Sequence, residues 1–254
     1  MISVIIPTLN AAPGLGATLE SLLEANRLGM IAEVIVSDGG SCDETAQIAE
    51  ASGAKVLIGS KGRGAQLIRG AEAARGDWLL FLHADTELSP GWEEEAGRHM
   101  AGAFDRKAAV FRLGFAASGF KPRLVAFGAN LRSRLFRLPY GDQGLLISRR
   151  HYERLGGFAD FPLFEDLDFV RRILREGGRS AVSLLPAVAM TSAERYEREG
   201  YLMRVLRNAR LVLAYHAGVS PEELAERYNG RLRKKSRAHG KAALDGAGED
   251  PPQP

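Results

Sequence analysis

Cysteine is nearly absent from this chain of 254 residues, which contains only Cys42. A single cysteine excludes a disulfide bond within the chain and is typical of proteins from a reducing compartment such as the cytoplasm. Zinc sites that need clustered cysteine and histidine ligands are excluded as well, because the sequence has no such cluster. No histidine lies near Cys42 in the sequence, so we interpret it as a residue at the start of a helix and not as a nucleophile.

Long apolar runs are also absent. No stretch approaches the roughly 20 consecutive apolar residues of a transmembrane helix. A strand pattern at Ile2–Thr8 leaves no room for an N-terminal signal peptide, and no repeat of roughly 20–50 residues is present. These absences predict a cytoplasmic protein built on one large α/β domain, since a chain of this length can bury a sizeable core.

The charge is unevenly distributed. The whole chain carries a net charge of +3, yet the segment Arg195–Arg237 contains eleven Lys or Arg against five Glu. Within it, Gly200–Ala217 is predicted to form a helix with one apolar and one basic face. The apolar positions are Leu202, Val205, Leu206, Ala209 and Leu213, and the basic stripe is Arg204, Arg207 and Arg210.

Two interpretations of this helix remain open. It could pack on the main domain with a solvated basic face, or it could approach anionic lipid as basic amphipathic helices do, which would place the protein peripherally at the inner membrane. A nucleic-acid partner is not expected, because the basic residues are not interleaved with aromatics and no DNA- or RNA-binding motif is present.

Two short apolar runs end abruptly in acidic residues. Trp78–Leu82 is predicted to be a buried strand, and His83 and Asp85 follow it directly. Glu33–Ser37 is a similar strand that ends in Asp38 and two glycines, and Ser41 and Glu44 have the spacing of a helix capping box. Ligands bind at the carboxyl edge of open α/β sheets, and a carboxylate there can hold a divalent cation that grips a diphosphate.

The N-terminus repeats the pattern of a strand followed by a helix. After the strand Ile2–Thr8, a helix is predicted with an apolar face. That face consists of Leu15, Leu19, Leu22 and Leu23. Further on, Lys61–Gln66 is a glycine-rich entry to a helix. It lacks the third glycine of a dinucleotide fingerprint, so it is either a plain loop or a place where backbone N–H groups and Arg63 meet a phosphate.

The second half of the chain contains two further polar segments next to predicted helices and strands. Pro122–Phe136 is predicted to be a helix with Arg132 and Arg134 exposed. Asp142 and Gln143, before the strand Leu145–Ser148, are either turn formers or ligands of sugar hydroxyls. Glu165 and Asp166 open a helix, where acidic residues are favoured by the helix dipole. They also follow the apolar run 161–164, where desolvation can raise the pKa of a carboxyl group.

These segments, in this order, resemble the family 2 glycosyltransferases of the GT-A fold. The motifs are Val-Ile-Ile-Pro-Thr-Leu-Asn10, Val-Ser-Asp-Gly-Gly-Ser-Cys-Asp43, Gly-Asp-Trp-Leu-Leu-Phe-Leu-His-Ala-Asp85, Gly-Gly-Phe158 and Phe-Glu-Asp166. The His-Ala-Asp-Thr and Pro-Tyr-Gly-Asp-Gln143 motifs resemble a subgroup of small soluble bacterial members, of the arsenosugar-biosynthesis and glycolipid types. The resemblance covers about residues 1–195.

The resemblance implies a Rossmann-like domain with a mixed, mainly parallel sheet and C-terminal helices. It also implies an inverting transfer of sugar from a nucleotide donor that is expected to be UDP-linked. The implied donor-binding residues are Pro7, Thr8, Asn10, Asp38, Arg63, Ala84 and Asp85. Asp85 would hold Mn²⁺ or Mg²⁺ together with His83, which stands at the first position of the usual Asp-x-Asp motif. Asp166 would be the general base and Glu165 its orienting partner, with Asp142 and Gln143 on the acceptor.

The extent of the resemblance and the composition of the C-terminal residues also predict how the chain is divided. Residues 1–195 form the catalytic domain, with a nucleotide-sugar half (1–105) and an acceptor half (106–195). Residues 196–233 form a helical extension, and residues 234–254, rich in Lys, Gly, Ala and Pro, form a disordered tail. The acceptor is predicted to be a small molecule or lipid-linked.

Three other functions remain open at this point. A metal-dependent nucleotidyltransferase would use similar carboxylates but release pyrophosphate. A dinucleotide-binding oxidoreductase is disfavoured by the missing glycine. A non-catalytic protein that binds nucleotide sugars would not hydrolyse the donor.

Overall fold

Eight strands form one sheet in the computed structural model, which describes residues 1–102, 106–136, 139 and 141–228. The strands are β1 (Ile2–Thr8), β2 (Ile31–Asp38), β3 (Lys55–Ile58), β4 (Trp78–Phe81), β5 (Thr86–Leu88), β6 (Ala108–Phe115), β7 (Leu145–Ser148) and β8 (Val182–Thr191). Their order across the sheet is β3-β2-β1-β4-β7-β6-β8-β5.

The first four strands of that order are parallel to one another, with β1 between β2 and β4. Strand β7 runs antiparallel to both β4 and β6, and β5 runs antiparallel to β8, whereas β6 and β8 are parallel. The prediction of an α/β fold with a mixed, mainly parallel sheet is therefore confirmed.

The described residues between 12 and 216 contain ten α-helices. They are α1 (Ala12–Glu20), α2 (Leu23–Arg27), α3 (Thr45–Ala51), α4 (Arg63–Ala73), α5 (Trp92–Gly102), α6 (Phe120–Phe136), α7 (Arg149–Arg154), α8 (Glu165–Gly177), α9 (Glu194–Glu199) and α10 (Tyr201–His216). Two short 3₁₀ helices lie at Gly141–Gln143 and Gly178–Ala181, and residues 221–228 are also helical.

The sheet is covered on both faces, which explains why β1 and β4 are almost continuously apolar. On one face Val4 and Leu80 lie in a core cluster with Leu15 of α1 and Trp92 of α5. On the other face Ile5 and Leu79 share a cluster with side chains of three further helices. Those side chains are Leu67 of α4, Tyr152 of α7 and Phe169 of α8.

The predicted N-terminal helix is interrupted. It ends at Glu20, and a second helix begins at Leu23, whose side chain is 50% exposed. The prediction that Leu23 belongs to the buried face is therefore wrong. The interruption lies at Ser21, whose hydroxyl donates to the carbonyl of Thr18 and accepts the N–H of Leu88.

Helix α10 presents its faces differently from the prediction. Arg204 is only 7% exposed and pairs with Glu199 at 3.1 Å, while Leu202 is 71% exposed. The predicted basic stripe is wrong at Arg204, and the residues of the predicted apolar face are exposed in the part of the chain that the structure describes. The physical reason is Glu199, a nearly buried carboxylate that needs cationic partners. Although burial raises the pKa of Glu199, the guanidinium groups of Arg204 and Arg207 lower it below its ordinary value.

Residues 1–207 form one compact unit, and a second unit starts at Asn208. The first contains the whole sheet and its helices. The second contains the rest of α10 and the helical residues 221–228. The predicted disordered tail lies outside the described residues. Among those that are described, every helix is too short or too polar to cross a bilayer.

Candidate active site

The carboxyl ends of β1, β2 and β4 meet at one edge of the sheet. Thr8 at the end of β1 is in register with Asp38 at the end of β2. On the other side of β1, Leu82 donates its N–H to the carbonyl of Ile5 and so continues the register of β4 toward His83. The sequence-predicted strand ends therefore lie side by side, as the alternation of strands and helices indicated.

Asp38 organises the loop that follows β2. Its Oδ1 accepts the hydroxyls of Thr8 (2.8 Å) and Ser41 (2.5 Å), and its Oδ2 accepts the N–H groups of Gly40 (2.8 Å) and Ser41 (2.7 Å). Although burial would raise the pKa of Asp38, these hydrogen bonds hold it below its ordinary value.

This arrangement corrects two predictions. Asp38 is 2% exposed and all four of its favourable acceptor positions are taken, so direct binding of a base or ribose by its carboxylate does not fit. The predicted capping box is also wrong, because α3 begins at Thr45 and its N-terminus has no capping contact from Glu44. The hydroxyl of Ser41 instead bonds Asp38 and accepts the N–H of Asn10.

Asn10 lies in the exposed loop after β1, at the carboxyl edge of the sheet. It is exposed and adopts φ +50°, an uncommon value for a non-glycine residue. Its Oδ1 accepts the N–H of Cys42 at 2.9 Å, which joins the loops after β1 and β2. Pro7 is half-buried and Thr8 is buried, so Asn10 is the most accessible of the three predicted nucleotide contacts.

Gln66 is a site residue that the sequence reasoning missed. It lies in α4, is 5% exposed, and donates from Nε2 to the carbonyls of Thr8 (2.6 Å) and Ser37 (2.9 Å). It thereby ties the strand ends to the helix that Arg63 begins. The available signal was an amide side chain next to the apolar residues Leu67 and Ile68.

The turn after β4 is fixed by Thr18 of α1. The Thr18 hydroxyl donates to the carbonyl of Ala84 (3.0 Å) and accepts the N–H of Thr86 (3.1 Å). Ala84 is buried, whereas His83 and Asp85 on either side are partly exposed. The backbone of this turn is thus held from behind while its two polar side chains remain at the sheet edge.

His83 lies among positive charges. Burial is the main cause that lowers its pKa well below the ordinary value, and the guanidinium groups of Arg63 and Arg195 add to the effect. Arg195, in α9, was not singled out in the sequence. The only earlier signal was its place in the basic segment that follows the sheet.

Gly141 lies between His83 and Asp166. A Cβ atom on this residue would be 2.9 Å from His83 Nε2 and 3.0 Å from Asp166 Oδ2, so only glycine leaves these groups their present positions. The N–H of Gly141 donates to Asp166 Oδ2 at 2.5 Å, and the N–H of Leu167 donates to Oδ1 at 2.7 Å. The structure therefore brings the His83 turn, the Gly141 turn and the start of α8 together.

Glu165 is a buried carboxyl group with a strongly raised pKa. It is 1% exposed, its Oε1 lies 3.6 Å from Arg63 Nε, and that oxygen has no hydrogen bond among the described residues. Burial and the neighbouring charge of Asp166 raise the pKa of Glu165 to about 7 against the attraction of Arg63. The preceding residue, Phe164, has φ +67°, a strained conformation of the kind that is concentrated at functional sites.

Asp142 and Gln143 occupy different environments. Burial raises the pKa of Asp142 to about 6, with Arg132 opposing the shift and Asp166 adding to it. Arg132 is only partly exposed, in contrast to the prediction that it is exposed. Gln143 is fully buried, accepts the hydroxyl of Ser133 at 2.6 Å and donates to the carbonyl of Phe111 at 2.9 Å.

The burial of Gln143 corrects its predicted role as a ligand of sugar hydroxyls. Both ends of its amide are engaged inside the protein, so it anchors the turn that carries Gly141 and Asp142. Tyr140, which completes the same sequence motif, lies outside the described residues. Of the predicted acceptor pair, Asp142 alone stays at the site.

Replacing Glu165 by Gln should stabilise the protein at high pH. Because the pKa of Glu165 rises from an ordinary 4.5 to about 7 on folding, the unfolded chain ionises first as the pH increases, and stability falls between these two values. We expect Glu165→Gln to raise the free energy of unfolding at pH 8 by at most about 3 kcal/mol, and by less than about 1 kcal/mol at pH 5.

Urea unfolding of wild type and variant at the two pH values checks this, with the exposed Glu87→Gln as the matched control. A gain for Glu165→Gln that is the same at pH 5 and pH 8 would show that its carboxyl group titrates normally in the native state.

Comparison with known proteins finds a family match within the N-terminal half. Residues 3–124 match the family model described as glycosyl transferase family 2, which confirms the resemblance inferred from the motifs. The PGL/p-HBAD biosynthesis glycosyltransferase of Mycobacterium bovis is 41% identical over 95 residues, which are 35% of this chain and 36% of that protein. The glucosyl-3-phosphoglycerate synthase of Mycolicibacterium smegmatis is 34% identical over 93 residues, 33% of this chain and 30% of that protein.

The chain thus spans about a third of the length of these curated relatives. Among solved structures, glucosyl-3-phosphoglycerate synthase from Mycobacterium tuberculosis in complex with Mn²⁺, UDP and glucosyl-3-phosphoglycerate superposes with a TM-score of 0.56 at 23% identity, over 76% of this chain and 70% of that chain. The same enzyme with Mg²⁺ and UDP gives a TM-score of 0.56 at 22% identity, over 76% and 69%. These likenesses confirm the GT-A fold.

Proposed function

Because the chain carries a family 2 glycosyltransferase domain over residues 3–124, we propose that it transfers a sugar, with inversion, from a UDP-sugar to an acceptor hydroxyl. The observation that carries this proposal is the meeting of three turns at one sheet edge: the His83–Asp85 turn, the Gly141 turn and the Glu165–Asp166 helix start. Such a site combines, within one cleft, side chains that can bind a diphosphate and a cation with a carboxylate that can accept a proton.

A divalent cation fits this edge as a partner shared with the donor. In the described residues no three His, Cys, Asp or Glu side chains form a complete metal cage. This suits Mg²⁺ or Mn²⁺, which are commonly held by one or two protein ligands while substrate phosphates and water supply the rest. Asp85 would hold the cation, with His83 as the nitrogen ligand that Mn²⁺ accepts. When bound, the cation neutralises charge on the departing diphosphate.

The donor is held by the loops around Asn10 and by Arg63. Asn10 and Pro7 border the base, while Thr8 and Asp38 shape the loop behind them through their mutual hydrogen bond. Arg63 begins α4, whose first N–H groups and positive dipole end favour a phosphate. Glu165 restrains the guanidinium at 3.6 Å and so directs it to the same edge, with Ala84 providing the backbone between His83 and Asp85.

Asp166 is the proposed base. It is partly exposed, whereas Glu165 is buried, so an acceptor hydroxyl can reach Asp166 and not Glu165. Two backbone N–H groups orient its carboxylate. As the acceptor oxygen bonds to the anomeric carbon and the bond to the diphosphate oxygen breaks, Asp166 takes the hydroxyl proton. Glu165 is proposed to position Asp166 and Arg63.

The acceptor is proposed to be a small molecule or a lipid-linked hydroxyl, with Asp142 as a contact on its side of the cleft. Peripheral membrane contact through the basic C-terminal helix stays a prediction. The basic stripe on which this prediction was based is incomplete, because Arg204 forms an ion pair with Glu199. A cytoplasmic location, inferred from the single cysteine, also stays a prediction.

A thermal-shift screen tests the donor class. Binding to the native state raises the melting temperature, so UDP-sugars should stabilise the protein more in the presence of Mn²⁺ than in its absence. Guanosine and thymidine diphosphate sugars serve as the comparison. No shift with any nucleotide sugar, with or without metal, would contradict the proposal.

A further inference from the structure

Helix α6 carries an apolar stripe that nothing in the described structure covers. The stripe, called here the α6 stripe, recurs every three or four residues along one side of the helix. Its members are Phe120, Leu124, Phe127, Leu131 and Leu135, and their side chains are between 42% and 76% exposed. Scattered exposed apolar residues are ordinary, but an aligned row of five, two of them phenylalanine, marks an interaction surface.

The opposite side of α6 is firmly packed. Val125, Ala126 and Ala129 lie against β6 in a cluster with Tyr196, and Asn130 exchanges two hydrogen bonds with the backbone of Leu113. The orientation of the helix is therefore fixed by its contacts. The α6 stripe faces away from the core as a consequence of this packing.

The charges around the stripe indicate which partner it fits. Helix α6 contains no acidic residue and four basic ones, namely Lys121, Arg123, Arg132 and Arg134. Lys121 and Arg123 are exposed beside the first turns of the stripe, and Arg134 is exposed near its end. An apolar face bordered by cations, with no anion, is the composition of a helix that lies in the interface of an anionic membrane.

The same charges disfavour other occupants. A second copy docking stripe to stripe would bring like charges together, which is costly at an interface. The chain after residue 228 contains six Lys or Arg against three Asp or Glu, so its net charge has the same sign as that of α6 and does not complement it either. An anionic bilayer offers both the apolar interior and the opposite charge.

We infer that α6 is a membrane-docking helix, which inserts its apolar stripe into an anionic lipid surface and presents the cleft to acceptors held there. Helix α6 also supports the site, since Ser133 donates to Gln143 at 2.6 Å in the turn that carries Asp142, and the positive charge of Arg132 acts on Asp142. The idea that acceptors are held at the lipid surface rests on the proposed function, whereas the docking of α6 to lipid does not.

Sedimentation with lipid vesicles tests the inference. The full chain should sediment with vesicles of phosphatidylcholine and phosphatidylglycerol at low salt and less at high salt, because screening weakens the attraction. It should bind pure phosphatidylcholine poorly. The double variant Leu124→Ser/Phe127→Ser should reduce binding at least about tenfold, since two inserted side chains are lost.

Matched controls separate this result from a general loss of apolar surface. Leu28→Ser/Ile58→Ser removes two side chains of similar exposure outside α6 and should bind as the wild type does. Lys121→Gln/Arg123→Gln should lower binding at low salt and weaken its salt dependence.

Two results would overturn the inference. One is the absence of vesicle binding by the wild type at low salt. The other is a concentration-dependent dimer, seen by analytical ultracentrifugation, that Leu124→Ser/Phe127→Ser abolishes while vesicle binding persists. UDP binding, measured without vesicles, reports separately on the proposed function and should be the same in all these variants.

Discussion

Asp166→Asn should lower the rate of sugar transfer by roughly 10²–10⁴-fold, the contribution of a general base, while leaving the affinity for donor and metal nearly unchanged. Asparagine keeps the size of the side chain and an oxygen that can accept the N–H of Gly141 or Leu167. It removes the proton acceptor. A loss of rate without a loss of donor binding therefore isolates the chemical step.

Single-turnover transfer and calorimetric titration of UDP measure the two quantities. Asp77→Asn, an exposed carboxylate paired with the N-terminus, is the matched control and should behave as the wild type does. Glu165→Gln should reduce transfer less than Asp166→Asn if its role is positional. If Asp166→Asn transfers at the wild-type rate and Glu165→Gln is inactive, the roles of the two residues are exchanged.

Asp85→Ala should abolish the increase in donor affinity that Mn²⁺ provides. The side chain is partly exposed at the end of β4, and the turn around it is held through Thr18 and the backbone of Ala84 and Thr86, not through the carboxylate. The fold should therefore survive the substitution. Titration of UDP with and without Mn²⁺ gives the result directly.

His83→Asn is informative beside Asp85→Ala. It should weaken the effect of Mn²⁺ more than that of Mg²⁺, because imidazole is a better ligand for Mn²⁺. Metal-dependent UDP affinity that stays at the wild-type level in Asp85→Ala would exclude Asp85 as the residue that holds the cation.

The sheet edge could be predicted because its signal is local. Short apolar strands followed directly by His83, Asp85 and Asp38 specify both the strand and the side at which it ends. The start of α8 was equally accessible, since Glu165 and Asp166 precede a regular apolar helical pattern whose residues Phe169 and Ile173 are fully buried.

The roles of individual site residues could not be predicted, because they depend on contacts with residues far away in the sequence, which local sequence patterns do not reveal. Asp38 was predicted to bind a nucleotide, but donors from Thr8, Gly40 and Ser41 occupy its carboxylate. Gln143 was predicted to bind sugar, but Ser133 and Phe111 engage its amide. In each case the polar residue and its partners satisfy one another inside the fold, as buried polar groups require.

The C-terminal helix shows the same limit for charge patterns. Helical periodicity located the apolar and basic faces of α10, but not which of them is covered. Glu199 decides this, because its buried carboxylate draws Arg204 and Arg207 inward and leaves Leu202 and Leu206 exposed.

The nucleotide product formed from a UDP-sugar in the presence of Mn²⁺ tests the central claim most directly. When the nucleotides are separated by anion-exchange chromatography, the product should be UDP. The wild type should form it and Asp85→Ala should not, and the yield of UDP should rise when an acceptor hydroxyl is supplied. UTP formed when pyrophosphate is added would instead identify a nucleotidyltransferase, and a UDP-sugar that stays intact under all conditions would contradict a transferase.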